Sequence, residues 1–345
     1  MAREAAVPLE LEEIRPPSMP VLRRVLLLAR QHPLGLFGLI VVLGLFFCGI
    51  FADVVAPYDP QAIDQDAILE APSPSHPFGT DRLGRDVLSR TIFGARISLM
   101  IGVVSVGFGI VIGTFLGVVS GYSGKLVDTI IQRFVDMILA FPPVVLLLAI
   151  ITVIGDDYSA FRKFLSNNTP LPEGSFLGVP VFLDIFVISV GIGIAIAVGS
   201  ARIIRGAVLS IKENVYIDAA RTLGASDARI MAHHIFPNVA ALVVILASIT
   251  LPIAILAEAA ISFLGVGVPA PTPSWGGDLT GRNYQAALEG HWWPAFFPGA
   301  ALSLVVLGFN MLGDAFRDIS DPRLRGGPGL GPASGPGGSR GSRGL

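Results

Sequence analysis

The sequence predicts an all-α membrane protein with about six transmembrane helices. Three observations predict it. Only 14% of the 345 residues are charged, against roughly 25% in an ordinary soluble domain. Hydrophobic residues make up 52% and mean hydropathy is +0.69. The apolar residues are gathered into separate runs, each near the roughly 20 residues that a helix needs to cross a bilayer core.

Six runs stand out in order along the chain, at 34–55, 97–120, 137–154, 181–200, 239–257 and 295–312. Within these limits the only charged residues are Asp53 and Asp184. The first run is too long, and lies too far from the start, to be a cleaved signal peptide. The third and sixth are short enough to tilt or kink. In the third, Phe141-Pro142-Pro143 removes backbone donors and should bend the helix near its inner end. Residues 1–33 form an N-terminal segment, 34–316 the transmembrane domain, and 317–345 a tail. From about 326 that tail is Gly, Pro, Ser and Arg, a composition that stays disordered.

Lys and Arg are placed unevenly about these runs. With the N-terminus inside, seventeen of the 24 fall on that side and seven on the other. Cytoplasmic loops carry the excess of positive charge, so both termini are expected in the cytoplasm. The segment 56–96 becomes an outer loop with Pro-rich and acidic stretches, and 201–238 a long basic inner loop. Net charge is −2, which leaves no electrostatic footprint for nucleic acid. The single cysteine, Cys48, rules out a disulfide framework or a cysteine metal cluster.

Within the second run glycine repeats at Gly109, Gly113, Gly117 and Gly121. Residues four apart share a helix face, and glycine there admits a second backbone at close range. The face can serve helix packing within the chain, or contact with another subunit or a pore. Glu258 lies at the edge of the fifth run. A charge at the bilayer centre costs about 2.5–3.5 kcal/mol on insertion scales, which places Glu258 near the outer end or beside a wet cavity. It is either an interfacial or internal hydrogen-bond acceptor or part of a translocation path or gate. Asp81, Arg82, Arg85 and Asp86 form a charged cluster before the second run, and either pair with one another or receive an external partner. Trp275, Trp292 and Trp293 suit an outer aromatic belt.

The inner loop carries the most informative pattern. Asn214 can cap a helix through Asp218 to Leu223, and Gly224 follows where a positive φ is cheap. Ser226 can cap a second helix, with Asp227 in its first turn, running towards Phe236; Pro237 then leads into the fifth run. Two short helices joined by a glycine make a protruding knob, able to pass rigid-body motion from a soluble partner to the spans.

Asp218-Ala219-Ala220, then Gly224, then nine residues, then His234-Ile235-Phe236-Pro237 resembles the EAA loop of ABC importer permeases. That family pattern is EAA, three residues, Gly, nine residues, I-x-L-P. Here Asp218 replaces the Glu and keeps its charge, Phe236 takes the Leu position, and His234 takes the Ile position as in the peptide branch. HPFGTDRLGRDVLSR at 76–90 looks like the segment before the second span of C-type peptide permeases. Gly121-Tyr122-Ser123-Gly124 with Asp128, Arg133, Asp136 and Phe141-Pro142 is similar to their second inner segment. Glu258 to Gly265 with Pro273-Ser274-Trp275-Gly276, and Asp321-Pro322-Arg323-Leu324-Arg325, match further stretches. The resemblance covers roughly residues 34–325.

It implies a type I ABC importer permease in a prokaryotic cell membrane, importing dipeptides or oligopeptides. The partners implied are a second, similar permease, two ATP-binding subunits that hold ATP and Mg, and an external binding protein. Asp218, Ala219, Ala220, Leu223, Gly224, His234 and Pro237 would meet the ATPase. Nickel-chelate, glutathione and opine importers share the pattern. This chain should bind no cofactor or metal and catalyse nothing itself: Gly121-Tyr122-Ser123-Gly124-Lys125 lacks P-loop spacing, and adjacent His233 and His234 lack metal-ligand spacing. A secondary transporter, the reading from another class, would show internal repeats and buried coupling charges; no convincing repeat is present, and the runs hold no charge beyond Asp53 and Asp184.

Overall fold

The computed structural model describes residues 33–153 and 179–320. Expectations for 1–32, for Arg162 and Lys163, and for the tail from 321 lie outside these residues. All regular structure among the described residues is helical. Five helices among the described residues are long and apolar enough to cross a membrane, and a sixth crossing is reached if a pair bent by 93° is counted as one broken span.

The first span is α1 (Pro33–Ile50), followed by the one-turn helix α2 (Ala52–Val55). Its buried residues Gly35, Gly38, Val42, Leu45 and Gly49 recur at three- and four-residue spacing and form one narrow seam. A Cβ at Gly38 would lie 2.5 Å from the Gly308 carbonyl oxygen, so glycine lets this helix approach the last span backbone to backbone. Its other faces present Ile40, Leu43 and Phe47 outward, as a lipid-facing helix requires.

Helix α3 (Val87–Tyr122) begins ten residues before the expected span. The Asp86 carboxylate starts it by accepting from the Ser89 N–H at 2.7 Å, a side-chain N-cap. Part of the expected outer loop is therefore helix. The charges that made 87–96 look like loop find partners instead: Arg90 bonds Asp278 and Arg96 bonds Asp53. At about 1.5 Å per residue, the 36 residues of α3 run about 54 Å, well beyond a hydrocarbon core of about 30 Å.

The expected third span straddles a break. Helices α4 (Lys125–Leu139) and α5 (Pro143–Val153) meet at 93°. Pro142 and Pro143 supply no N–H to continue the ladder, and the chain turns there. The fourth span is α6 (Val179–Lys212), which takes in the first twelve residues assigned to the inner loop. The rest of that loop comprises α7 (Val215–Thr222), α8 (Asp227–Ile230) and a wide π turn (Met231–Ile235). The π turn runs directly into α9 (Phe236–Phe263), the fifth span. Short helices α10 (Trp275–Asp278) and α11 (Gly281–Leu288) lead to α12 (Trp293–Ser320).

The pair α3–α6 is the spine of the bundle. A Cβ at Gly109 would lie 2.6 Å from the Gly193 oxygen, at Gly113 2.7 Å from the Ala197 oxygen, and at Gly117 2.8 Å from the Ala201 oxygen. At Gly121 it would lie 2.8 Å from Val208 Cβ. Partner numbers rise with the glycine numbers, so the two helices run parallel. The glycine face thus packs inside the chain. Around it Ile97, Ile101, Ile192, Ile204, Ile217, Ile230 and Ile235 are fully buried in one continuous core.

The end of the bundle near Val87 is closed by polar contacts. Asp81 accepts from Leu83 N, Arg85 N and Arg85 Nε at 2.8, 3.0 and 2.7 Å. Asp86 also meets His76 Nδ1 at 2.9 Å, and Arg82 reaches Glu289. Only Asp81 and Arg85 of that cluster pair with each other. The tryptophans correct the aromatic-belt expectation. Trp275 and Trp293 are buried, and their indole N–H groups donate to the Thr91 and Thr80 carbonyls at 2.9 and 3.0 Å. Their backbone partners hold them inside, while Trp292 stays exposed.

Candidate functional site

The knob is built by α7, its turn and the π turn. Asn214 has the extended backbone of an N-cap, but its side-chain amide donates back to the Ile211 carbonyl at 2.9 Å. Asn214 therefore closes α6 instead of capping α7. Ser226 likewise stands at the N-cap position of α8 without a side-chain cap bond.

The C-terminus of α7 is fully specified. Gly224 N–H donates to the Arg221 carbonyl at 2.9 Å and Ala225 N–H to the Ala220 carbonyl at 3.1 Å. These paired bonds form a Schellman motif, which needs a left-handed residue; Gly224 supplies it at φ +80°.

The knob has a buried base and an open top. Ile217, Ile230 and Ile235 are fully buried against the spans. Val215 and Leu223 are 83% and 87% exposed, and nothing lies within 4 Å of a Cβ added at Gly224. Asp218 also faces outward, with Arg221 Nη1 at 3.4 Å from its carboxylate. His234 in the π turn comes beside Tyr216 of α7, their ring centroids 6.4 Å apart. Pro237 stands at the start of α9. The structure thus brings Asp218, Ala219, Ala220, Leu223, Gly224, His234 and Pro237 into one small protrusion, with apolar side chains left uncovered on top.

Sequence reasoning missed what holds the knob down. The Tyr122 hydroxyl at the end of α3 donates to Asp227 Oδ1 at 2.6 Å, and Lys212 Nζ donates to the Tyr122 carbonyl at 3.0 Å. The Arg221 guanidinium lies 5.3 Å from the Tyr122 ring centroid. Beside them, Asp128 on α4 accepts from Arg205 Nε at 2.5 Å and from Ser120 Oγ at 2.6 Å. The available signal was that Tyr122 directly follows the glycine stripe, where α3 must emerge from the membrane.

Glu258 stands five residues before the end of α9 at Phe263. It is completely buried within α9, where Ser98 Oγ donates to Oε2 at 3.1 Å and Ser262 Oγ donates to Oε1 at 2.8 Å. Ser262 Oγ in turn accepts from the Val268 N–H at 3.3 Å. The carboxylate joins α3, α9 and the following loop through internal hydrogen bonds. No group of three or more potential metal ligands converges among the described residues.

With this geometry in view, comparison with known proteins decides the family. The model of the binding-protein-dependent transport system inner membrane component matches residues 109–326. That span takes in α4, α5, α6, the knob and α9 to α12, and it begins at the first glycine of the stripe. The chain belongs to this family. A second model, the N-terminal TM domain of oligopeptide transport permease C, matches residues 22–72 of this permease. A dipeptide transport system permease protein of Alkalihalophilus pseudofirmus is 34% identical over 86% of the permease and 88% of its own length. An oligopeptide transport system permease protein of Bacillus subtilis is 34% identical, covering 91% and 93%. A glutathione transport system permease protein of Pectobacterium atrosepticum is 36% identical, covering 91% and 94%. The permease is accordingly a multi-pass membrane protein, with five long apolar helices against the six expected spans, or six when the bent pair at the third is counted as one.

Proposed function

We propose that this permease is one membrane subunit of an ATP-driven, binding-protein-dependent importer of dipeptides or oligopeptides. It pairs with a second, similar permease, receives substrate from an external binding protein, and is driven by two ATPase subunits that hold the ATP and Mg. The knob and both termini face the cytoplasm. The observation that carries this reading is the knob itself. Leu223 and Val215 stand exposed on a short helix whose underside is buried in the spans. Apolar side chains held out rigidly at one end of a membrane bundle suit a soluble partner. A knob of this kind passes the partner's closure to the spans and switches access from one side to the other.

The relatives' printed names support peptides as substrate, and the glutathione permease among them keeps that modified tripeptide in the panel to be tried. Stimulation of ATPase activity in the assembled importer by its loaded binding protein separates dipeptides, oligopeptides, glutathione and nickel chelates.

Docking is tested at Gly224. Both Gly224→Ala and Gly224→Leu meet the same penalty for a positive φ, roughly 1–2 kcal/mol, but only the second adds bulk at the open surface. Gly224→Ala should keep most uptake, and Gly224→Leu should lose it while inserting normally. Equal, near-normal uptake in both variants would remove the docking assignment.

A further inference from the structure

Tyr122 is 6% exposed and meets the end of α6 and both short helices of the knob. It ends α3, one residue beyond the glycine seam that locks α3 to α6. Its hydroxyl reaches Asp227, the first residue of α8, at 2.6 Å. Its carbonyl accepts from Lys212, the last residue of α6, at 3.0 Å. Its ring lies under Arg221 of α7 and beside Lys212, at 5.3 and 5.7 Å from the charged groups.

The connection from knob to α9 is of another kind. Although the chain is continuous there, it passes through the π turn Met231–Ile235, where Phe236 N–H bonds the Met231 carbonyl five residues back. Pro237 follows and donates no bond. π turns and prolines interrupt the regular ladder and are where helices bend. Fused α3 and α6 are a stiff load on one side, and the interrupted helix is a compliant link on the other.

We propose that Tyr122 is a positioning residue that fastens the knob to the α3–α6 pair, so that knob motion drives these two helices ahead of α9. The inference rests on the importer reading and names the route by which that reading's motion enters the bundle. Tyr122 touches no substrate, and its exposed partner Asp227 is held by the hydroxyl alone among the hydrogen bonds described for its side chain.

The test uses the complete importer in proteoliposomes, with uptake and ATP hydrolysis measured together. Tyr122→Phe removes one oxygen and keeps the ring. The expected result is that ATPase subunits co-purify in normal amount while substrate imported per ATP falls about five-fold. Asp227→Ala, on the exposed side of the contact, should give the same fall, Asp227→Asn should restore coupling through its remaining oxygen, and the double variant should be no worse than either single one. Wild-type coupling in Tyr122→Phe and Asp227→Ala, or defects that multiply in the double variant, would overturn the proposal. A wild-type permease that captures no ATPase would overturn the importer reading and this route together, which the wild-type arm distinguishes.

Discussion

Arg90 and Asp278, 188 positions apart in the chain, meet in a buried ion pair in which Arg90 Nε lies 3.0 Å from Asp278 Oδ1. Arg90 Nη1 also donates to the Pro60 and Pro271 carbonyls at 3.1 and 3.3 Å. One guanidinium therefore ties the start of α3 to the loop before it and to the connection between α9 and α12. Burial pushes the Asp278 carboxyl above its ordinary value, against the opposing pull of Arg90.

Breaking that pair from one side should be costly. Removing one member of a buried ion pair typically costs about 3–5 kcal/mol, because the other charge stays buried without it. Asp278→Ala should lower the thermal unfolding midpoint of the detergent-purified permease markedly. Asp53→Ala, at an ion pair whose carboxylate is 68% exposed, should shift it little. Equal midpoints for the two variants would show that the Arg90 network does not hold this end together.

The glycine seam makes a position-specific prediction within one helix. Gly113→Leu would drive a side chain into the Ala197 carbonyl of α6, whereas Gly107 has nothing within 4 Å of an added Cβ. Gly107→Ala should be neutral or slightly stabilising, since alanine favours a helix by about 0.8–1 kcal/mol. Gly113→Leu should lose most folded protein, because overpacking of at least about 1–3 kcal/mol here presses on backbone. Size-exclusion yield of the two variants reads the difference.

Glu258 is expected to act through its hydrogen bonds. Glu258→Gln retains one acceptor and gains a donor, so both Ser98 and Ser262 keep a partner; uptake should stay within about two-fold at every pH tried. Glu258→Ala leaves both hydroxyls without that partner in a buried site, at about 1–3 kcal/mol for each unsatisfied group, and should reduce folded yield. Loss of uptake in a well-folded Glu258→Gln would instead assign the carboxylate to the translocation path.

The parts that were legible in the sequence are those with a local period. Apolar runs mark the spans, four-residue spacing marks the Gly109 to Gly121 face, and Gly224 marks the turn of the knob. The bend at Pro142 and Pro143 was legible for the same reason, since missing donors act where they stand. Pairings between distant residues were not legible. Nothing near Arg90 in the chain announces Asp278, so charged residues at the start of α3 read as loop. Tyr122 and Asp227 are 105 positions apart, and each looks ordinary alone. Trp275 and Trp293 were assigned to a lipid interface because their backbone partners, Thr91 and Thr80, become neighbours only in the folded chain.

Cross-linking from Leu223 bears most directly on the knob as the docking point. With Cys48 changed to Ser, a Leu223→Cys variant carries a single thiol at a site that is 87% exposed. In membranes containing the whole importer it should cross-link to an ATP-binding subunit and stay unreactive to impermeant reagents added outside intact cells. Labelling from outside, or cross-links that never include a nucleotide-binding subunit, would contradict it.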